Sequence, residues 1–311
     1  MEMLFIGIDV SKDRLDVAAN REGMAFHVAR NHDGLADLAG RLKTLGAERI
    51  AVEATGGFET VVVAALAAAR LPVVVVNPVQ VRAFAQALGK RAKTDPIDAA
   101  VIARFAEATR PAFRPLADEQ TQALSDLVAR RRQIVTMIGS ENQRLTRASV
   151  RTAKSIRRLV KALEAELDDI NADIDQTIRR MPNWLEKVEL MKSVPGIGDQ
   201  IARALIADLP ELGRLDRRQI ASLVGLAPWT RQSGRWRGKS IIGGGRASVR
   251  TVLYMGAQVA ARYNPTLKAF RDKLVAAGKP KNVAIIAVAR RLITILNAII
   301  RDNQPWREKT A

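Results

Sequence analysis

The sequence predicts an α/β domain followed by mostly helical segments, and three observations favour this fold class. Short apolar runs alternate with amphipathic stretches as far as residue 109. From Asp118 to about Arg180, glycine and proline are scarce and apolar residues recur at helical spacing. Beyond residue 181 the segments are again helical, with one basic, glycine-rich loop over 229–246. We therefore expect an N-terminal mixed sheet, central coiled-coil helices and a mostly helical C-terminal domain.

The N-terminal segments follow the order β-β-β-α-β-α-β-α. Apolar runs end in acids or turn residues, and the stretches between them place leucine on one helical face. A meander followed by strands that alternate with helices is typical of a ribonuclease-H-like, resolvase-like mixed sheet. The predicted strands cover 3–9, 15–19, 24–29, 49–53 and 71–77, and the predicted helices cover 33–45, 59–70, 79–88 and 95–109.

The central stretch carries two apolar stripes, separated by a predicted break near 147–154. The first stripe is imperfect because Arg131 and Asn142 occupy apolar positions. The pattern suits two interpretations, a packing stripe within one chain and a coiled coil that joins two subunits. The stripes comprise Leu124, Val128, Arg131, Val135, Ile138, Asn142 and Leu145, then Leu159, Leu163, Leu167, Ile170, Ile174 and Ile178.

These patterns divide the chain into three predicted parts. Residues 1–150 form the ribonuclease-H-like domain with a long closing helix, 151–188 a coiled-coil linker for oligomerisation, and 189–311 the C-terminal domain. The C-terminal helices are predicted over 186–191, 199–209, 216–224, 247–262, 266–277 and 281–301.

The composition narrows the possible chemistry. A formal net charge of +18 and a pI near 10.9 indicate a polyanionic partner, with an anionic membrane surface as the alternative. The sequence contains no run of about 18 apolar residues and no signal-peptide features, so we expect no membrane span. The absence of cysteine excludes thiol nucleophiles and disulfides, and His27 and His32 as the only histidines disfavour a Ser-His triad. We expect a cytoplasmic protein that uses carboxylates, hydroxyls, Lys and Arg.

Four carboxylates are the candidate catalytic acids and metal ligands: Asp9, Glu53, Asp95 and Asp98. Asp9 and Glu53 each close a predicted strand and would converge in the sheet, whereas Asp95 and Asp98 share one helical face. Mg²⁺, or Mn²⁺ in its place, prefers carboxylate oxygens and promotes phosphoryl transfer. Each acid alone also fits a turn or a helix cap. The prediction of a metal site therefore rests on the four acids taken together.

The segment from Thr230 to Ser240 contains four cations and no acid. From Arg217 to Arg271 the chain has eleven Lys or Arg and no Asp or Glu, which favours phosphate binding. Ser233 precedes a glycine, which indicates a bend that presents its hydroxyl as a nucleophile in a cationic field. By spacing alone, an ordinary loop serine fits this pattern better.

Ten residues are candidates for contacts with nucleic acid. The turn Pro195-Gly-Ile-Gly198 opens a predicted helix and is similar to a helix-hairpin-helix element, whose amides hold a DNA phosphate; a plain interhelical turn is the alternative. Tryptophans of the basic loop would stack on bases or pack in a core. The candidates are Lys12, Lys93, Gly196, Gly198, Arg231, Arg235, Trp236, Arg237, Lys239 and Arg246.

These residues, taken in order along nearly the whole chain, resemble the DEDD-type insertion-sequence transposases, a bacterial family whose recombinases are guided by a bridge RNA. The resemblance rests on Gly7-Ile-Asp-Val-Ser-Lys, Val52-Glu-Ala-Thr-Gly, Val76-Asn-Pro, Ala83-Phe-Ala, Lys93-Thr-Asp-Pro-Ile-Asp-Ala, Ser193-Val-Pro-Gly-Ile-Gly, Gly225-Leu-Ala-Pro, Gln232-Ser-Gly and Ala269-Phe-Arg-Asp-Lys-Leu.

The resemblance implies that the four acids bind Mg²⁺ and that Ser233 forms a covalent phosphoserine link with DNA. It further implies a composite site shared between subunits, assembly as dimers and then tetramers around donor and target DNA, and a structured guide RNA. The location would be the bacterial cytoplasm, at the nucleoid when active. The family has serine-rich residues after the nucleophile where this chain has Arg235-Trp236, so Ser240 and Ser248 are the fallback nucleophiles.

Three other functions are weighed against a serine recombinase. A metal-only nuclease of the Holliday-junction type would retain cleavage after Ser233→Ala. A sugar-kinase or chaperone-like ATPase begins with a similar strand, but the chain has no second phosphate-loop motif and is strongly basic. A nucleic-acid organiser without activity leaves the four carboxylates without a purpose.

Overall fold

The computed structural model describes residues 3–21, 23–89, 95–113, 118–230 and 232–307, without the side chains of residues 95–97 and Arg237. The chain forms two compact units, Met1–Leu116 and Ala117–Ala311. The first combines a sheet with helices, and the second is mostly helical. The fold is therefore mixed α/β followed by a helical region.

The first unit contains a five-stranded mixed sheet in the order β3-β2-β1-β4-β5. Strand β1 pairs antiparallel with β2 and parallel with β4, and β5 extends the parallel part. The strands are β1 Phe5–Val10, β2 Arg14–Ala19, β3 Ala25–Ala29, β4 Arg49–Glu53 and β5 Val73–Val76; the helices are α1 His32–Leu45, α2 Glu59–Ala68, α3 Pro78–Ala87 and α4 Asp95–Thr109. The predicted order of elements is confirmed.

The two faces of the sheet are covered by different helices because strand residues alternate in direction. Ile6 and Ile8 of β1 belong to a core that includes α1 and α2. Phe5 belongs to a second core that includes α3 and α4. A side chain at Gly7 would place its Cβ 2.2 Å from the carbonyl oxygen of Ala99, so this glycine lets α4 cross directly over β1.

The second unit begins with two long helices, α5 Glu119–Leu145 and α6 Val150–Arg179, which pack against each other as a hairpin. The helices α7 to α12 form a bundle around one core. They are α7 Pro182–Lys192, α8 Asp199–Asp208, α9 Arg217–Leu223, α10 Ala247–Tyr263, α11 Pro265–Ala276 and α12 Lys281–Asp302. Between α9 and α10 lies a two-stranded sheet, β6 Gln232–Ser233 and β7 Trp236–Arg237.

The sequence analysis attached α5 to the N-terminal domain, but this helix lies in the second unit because it packs against α6 and α8. The buried seam of the hairpin also differs from the predicted stripe. Ile134 is fully buried whereas Val135 is 43% exposed, and Val160 is buried whereas Leu159 is exposed. Neighbouring positions of one helix point about 100° apart, so a shift of one residue moves the seam to another face.

Helix α12 is long and apolar enough to cross a membrane by length and composition alone. Its buried residues, among them Leu292, Ile293 and Leu296, lie in the core of the bundle. Packing of this kind is typical of the central helix of a water-soluble domain, so the helix is weak evidence for a membrane span.

Candidate functional site

The register of two parallel strands brings the first two predicted carboxylates together. Ile8 of β1 is level with Val52 of β4, so the next residues, Asp9 and Glu53, are level as well. Phe5 and Ala51 precede them at even spacing and lie in the core beneath α3 and α4. Since alternate residues share a face, Asp9 and Glu53 lie on the face that α4 covers.

Asp98 joins these two acids from the first turn of α4, which lies close to β1 because of Gly7. All three carboxylates line one cavity of about 690 Å³, and each is half-buried. The side chain of Asp95, the fourth predicted acid, lies outside the described residues. The structure thus gathers the three described members of the predicted set in one place, which we call the acid cavity.

The acid cavity fits Mg²⁺ in the kind of donor it offers. Carboxylate oxygens suit this ion, which is usually held by one or two carboxylates together with water and substrate phosphates. Within the described part of the chain, no group of three or more His, Cys, Asp or Glu side chains is close enough to hold a metal by itself. The described acids therefore do not form a complete metal site by themselves.

The acid cavity is also lined by residues that the sequence analysis did not select, among them Thr55, Phe58, Val81 and Arg82. The loop that carries Thr55 and Phe58 is held by Glu59, whose Oε2 accepts hydrogen bonds from the backbone N–H groups of Thr55 (3.0 Å) and Gly57 (2.8 Å). The two adjacent glycines of Ala54-Thr-Gly-Gly-Phe58 indicate a loop in the sequence. Only the fold shows that this loop faces the carboxylates. Lys12, which the sequence did predict, also lines the cavity.

A further carboxylate, Asp16, lies directly opposite Asp9 on strand β2. Facing residues of an antiparallel pair share a sheet face, and like charges in that position destabilise the sheet. Asp16 is only 6% exposed, and its Oδ2 accepts a hydrogen bond from Nε of Arg14 at 2.9 Å. This ion pair compensates the buried charge. The alternation of Leu15, Asp16 and Val17 by itself would place Asp16 on a solvent face, and only the fold shows that α4 packs over β2.

Ser233 lies at the end of β6, immediately before a two-residue turn. Gly234, the first residue of that turn, has a φ of 55°, which glycine adopts without strain and which is preferred in tight hairpins. Ser233 and its cross-strand neighbour Trp236 are both exposed and share one face. The bend predicted from the sequence is confirmed, and it takes the form of a β-hairpin.

The base of this hairpin is held by hydrogen bonds and by close contacts at glycines. Trp229 and Ile241 exchange two backbone hydrogen bonds of 2.7 and 3.0 Å, and the Trp229 ring lies against Gly244. Nη1 of Arg250 donates to the Gly244 carbonyl at 2.6 Å. A Cβ on Gly225 would lie 2.1 Å from that nitrogen, so the glycine makes room for the guanidinium. The glycines here allow close packing rather than forming a mobile linker.

The fallback nucleophiles lie farther from the turn of the hairpin than Ser233 does. The hydroxyl of Ser240 hydrogen-bonds to the hydroxyl of Thr230 at 3.0 Å near the base of the hairpin. Ser248 lies in the first turn of α10 and is half-buried. Ser233 and Ser240 are both exposed, but of the three serines Ser233 lies directly beside the turn.

The predicted cations have different environments. Arg235 and Lys239 are exposed on the hairpin. Lys93 and Arg231 lie outside the described residues, as does the side chain of Arg237. Arg246, predicted to bind nucleic acid, instead pairs its guanidinium with both carboxylate oxygens of Glu211, at 2.5 and 2.7 Å. This bidentate pair gives Arg246 a structural role, so we leave it out of the proposed DNA contacts.

The predicted helix-hairpin-helix turn joins α7 to α8. Gly196 has a φ of 106°, and a Cβ there would lie 2.6 Å from Ala260, so this glycine allows close contact with α10. Gly198 is the N-cap of α8, makes no side-chain cap and has open space where a Cβ would be. A hydrogen bond from Lys192 is the main cause that lowers the pKa of Asp199, the first residue of α8.

Two family models match the chain. A model of the DEDD transposase domain of IS110-type elements, described as a transposase, matches residues 6–152, and a model described as the IS116/IS110/IS902 family of transposases matches residues 188–272. Together they cover about three quarters of the chain. The chain belongs to the IS116/IS110/IS902 family of transposases. The first match contains the acid cavity and the second contains the Ser233 hairpin.

Curated relatives agree with this family. The chain is 27% identical to the pilin gene-inverting protein of Moraxella bovis over 99% of both chains, and equally similar to that of Moraxella lacunata. It is 31% identical to an uncharacterised 42 kDa protein of the insertion element IS900 of Mycobacterium paratuberculosis, over 49% of this chain and 38% of that one. As a member of the IS116/IS110/IS902 family, the chain is a DNA-recombining enzyme, and DEDD transposases in general use divalent metal ions.

Proposed function

We propose that this transposase moves its insertion sequence by Mg²⁺-dependent, serine-mediated cleavage and exchange of DNA strands, guided by a structured RNA from the element. The observation that supports the metal-dependent part is the acid cavity, which Asp9 and Glu53 line from the sheet and Asp98 lines from α4. The observation that supports the serine is its exposed position beside the turn of a basic hairpin.

In this proposal the carboxylates of the acid cavity, with Asp95, hold the ion close to the scissile phosphate. A bound Mg²⁺ would act as a Lewis acid that stabilises charge on the phosphoryl oxygens. Lys12 would contact a neighbouring phosphate. Because Gly7 fixes the distance between α4 and β1, the fold determines how far Asp98 lies from Asp9.

The Ser233 hydroxyl oxygen would attack phosphorus, forming a phosphoserine bond while the bond to one deoxyribose oxygen breaks. The serine loses its proton and the departing sugar oxygen gains one, so the proton count is unchanged. Arg235 and Lys239, with Arg231 and Arg237, would stabilise the charge that develops on the phosphate. Trp236 lies beside the serine and would stack on an adjacent base.

The broader assembly rests on the resemblance and on the physical character of the chain. A net charge of +18 suits simultaneous binding of DNA and a guide RNA in the bacterial cytoplasm. Half-buried apolar residues along α6, such as Leu163 and Leu167, support the coiled coil over 151–188 as the contact between subunits of a dimer or tetramer. The open N-terminus of α8 at Gly198 would accept a DNA phosphate, positioned by Gly196.

The relatives add support for recombination. Similarity to pilin gene-inverting proteins extends over 99% of both chains. Their name describes inversion of a gene, which requires that DNA strands be cut and rejoined. We infer the same strand chemistry for this chain, acting on the ends of its own element.

A trapping assay tests this mechanism directly. The protein is incubated with Mg²⁺, the flanking RNA of the element and a nicked end-junction DNA, and the peptide joined to DNA is sequenced after digestion. We expect a phosphate linkage on Ser233 that disappears in Ser233→Ala. A linkage on Ser240 or Ser248 would retain the mechanism and correct the residue. Cleavage without any linkage would support the metal-only nuclease instead.

A further inference from the structure

The mouth of the acid cavity carries groups that the carboxylates do not need for binding a metal. Lys12 comes from the turn between β1 and β2, Arg82 from α3, and Phe58 from the loop that precedes α2. Two cations and an aromatic ring thus surround three acids. This combination indicates a ligand that has phosphate groups and a flat aromatic part.

Phe58 is held with one face of its ring covered. The guanidinium carbon of Arg30 lies 4.9 Å from the ring centroid, a cation–π contact. Nε of the same arginine donates to the carbonyl oxygen of Lys12 at 2.6 Å, and its backbone N–H donates to the Asp13 carbonyl at 2.9 Å. Arg30 therefore fixes both the Lys12 turn and the Phe58 ring.

Phe58 is nevertheless 43% exposed, so part of its ring is open to a ligand. The loop cannot easily turn the ring inward, because Glu59 holds the backbone of Thr55 and Gly57. An exposed, immobilised aromatic ring beside cations is the arrangement that proteins use to stack a nucleobase.

Lys12 and Arg82 are available to an anion. Among the residues that the structure describes, neither side chain forms an ion pair, although both line a cavity that contains three carboxylates. Both side chains are exposed. They approach the cavity from different elements, so a backbone that passed between them would place one phosphate near each cation.

We propose that this mouth binds one nucleotide of the DNA substrate after it has left the base stack. The phosphates lie between Lys12 and Arg82, and the base stacks on the free face of Phe58. A cavity of about 690 Å³ is within the range that holds a small ligand and far too small for a duplex. The proposal rests on the proposed function, because it assumes that the first unit acts on DNA.

The experiment compares two DNAs with the full-length protein, without divalent metal so that no cleavage occurs. One is a fully paired end-junction duplex, and the other has a single unpaired deoxynucleotide at the junction. Removing a paired base from the stack costs binding energy that an unpaired base does not, so we expect about tenfold tighter binding of the second DNA. Phe58→Ala should weaken that binding by about 5- to 100-fold and erase the preference, whereas Phe58→Tyr should keep it.

Arg82→Gln tests the phosphate contact. It should weaken the binding of both DNAs and reduce the slope of log affinity against log salt by about 0.9. Lys43→Gln is the matched control, because Lys43 is an exposed cation on α1 outside the acid cavity. The control removes the same charge and should leave the slope within error of that of the unmodified protein.

Several results would overturn the proposal. They are an equal affinity for the two DNAs, a preference that persists in Phe58→Ala, or a preference that appears only when the unpaired nucleotide is RNA. Thermal unfolding of each variant shows whether it folds, and Phe58→Tyr separates loss of stacking from loss of structure. A retained preference together with failed serine trapping would uphold this site and refute the proposed serine mechanism; the opposite pair of results would refute only this site.

Discussion

The two candidate centres of this transposase are built in opposite ways. The acid cavity assembles residues that are far apart in sequence, since strand register brings Asp9 and Glu53 together and α4 brings Asp98. The Ser233 hairpin is contiguous, with two short strands and a tight turn that depends on Gly234. The first depends on packing beneath the residues, and the second on the contacts at the base of a local element. Substitutions that leave the functional groups intact should therefore damage the two centres in different ways.

The largest effect is expected from removing one charge in the acid cavity. Asp98→Asn keeps the size of the side chain but removes a negative charge that would hold the metal, so strand exchange should fall by at least about 10³-fold. DNA and RNA binding should stay within about twofold. The measurement is the product yield of recombination beside an electrophoretic binding assay.

Asp33→Asn is the control for this change, because Asp33 also lies in the first turn of a helix, α1, but is exposed away from the cavity. It should leave recombination unchanged. Retained strand exchange in Asp98→Asn would refute the metal assignment for the whole cavity.

The next effect separates packing from chemistry in the first unit. Gly7→Ala adds a Cβ that would lie 2.2 Å from the Ala99 oxygen and 2.4 Å from the Ala103 nitrogen, so α4 must move away from the sheet. We expect a loss of about 1–3 kcal/mol of stability and a large loss of activity, because Asp98 moves with the helix. Denaturant titration and the recombination assay measure the two effects.

Gly40→Ala provides the matched glycine. It lies within α1 with no atom close to an added Cβ, so the change should stabilise the protein by about 0.5–1 kcal/mol. If Gly7→Ala proved as harmless as Gly40→Ala, the close approach of α4 to β1 would not be what positions the acid.

The hairpin should be more sensitive at its base than at its turn. Gly225→Ala would clash with Arg250 Nη1 and the Gly244 oxygen, and its φ of 69° also disfavours a side chain. We expect a loss of about 2 kcal/mol or more and slower formation of the Ser233 linkage. Gly234→Ala has a similar φ of 55° but open space, so it should cost about 1 kcal/mol. The rate of linkage formation, measured for both, decides whether the base positions the serine.

Much of the fold could be predicted because its signals are local. The strand Arg49–Glu53 and the helix Asp95–Thr109 were predicted with the observed bounds, since their periodicity and flanking residues are clear. Asp9, Glu53 and Asp98 were selected because acids end a strand or begin a helix; all three line the acid cavity, and their role there stays a prediction.

The features that were missed depend on tertiary contacts. Arg246 carries the charge expected of a DNA contact, but its pairing with Glu211 joins residues 35 positions apart. Phe58 and Arg82 resemble ordinary surface residues until the fold places them beside the carboxylates. The buried seam between α5 and α6 was misplaced by one residue at Val135, because helical spacing fits either neighbour until the partner helix is known.

The smallest effect concerns the turn before α8 and depends on pH. The hydrogen bond from Lys192 holds the pKa of Asp199 below its usual value, so this pair adds stability above the ordinary carboxyl pKa near 3.8. The contribution disappears as the pH falls through the lowered pKa. Because both side chains are substantially exposed, Asp199→Asn should cost under about 1 kcal/mol at pH 7. Denaturant titrations from pH 7 to pH 3 should show the two proteins converging in acid, whereas a constant difference would mean that Asp199 acts through packing. DNA binding by the turn should hardly change, because the backbone of Gly198, rather than the carboxylate, is the proposed phosphate contact.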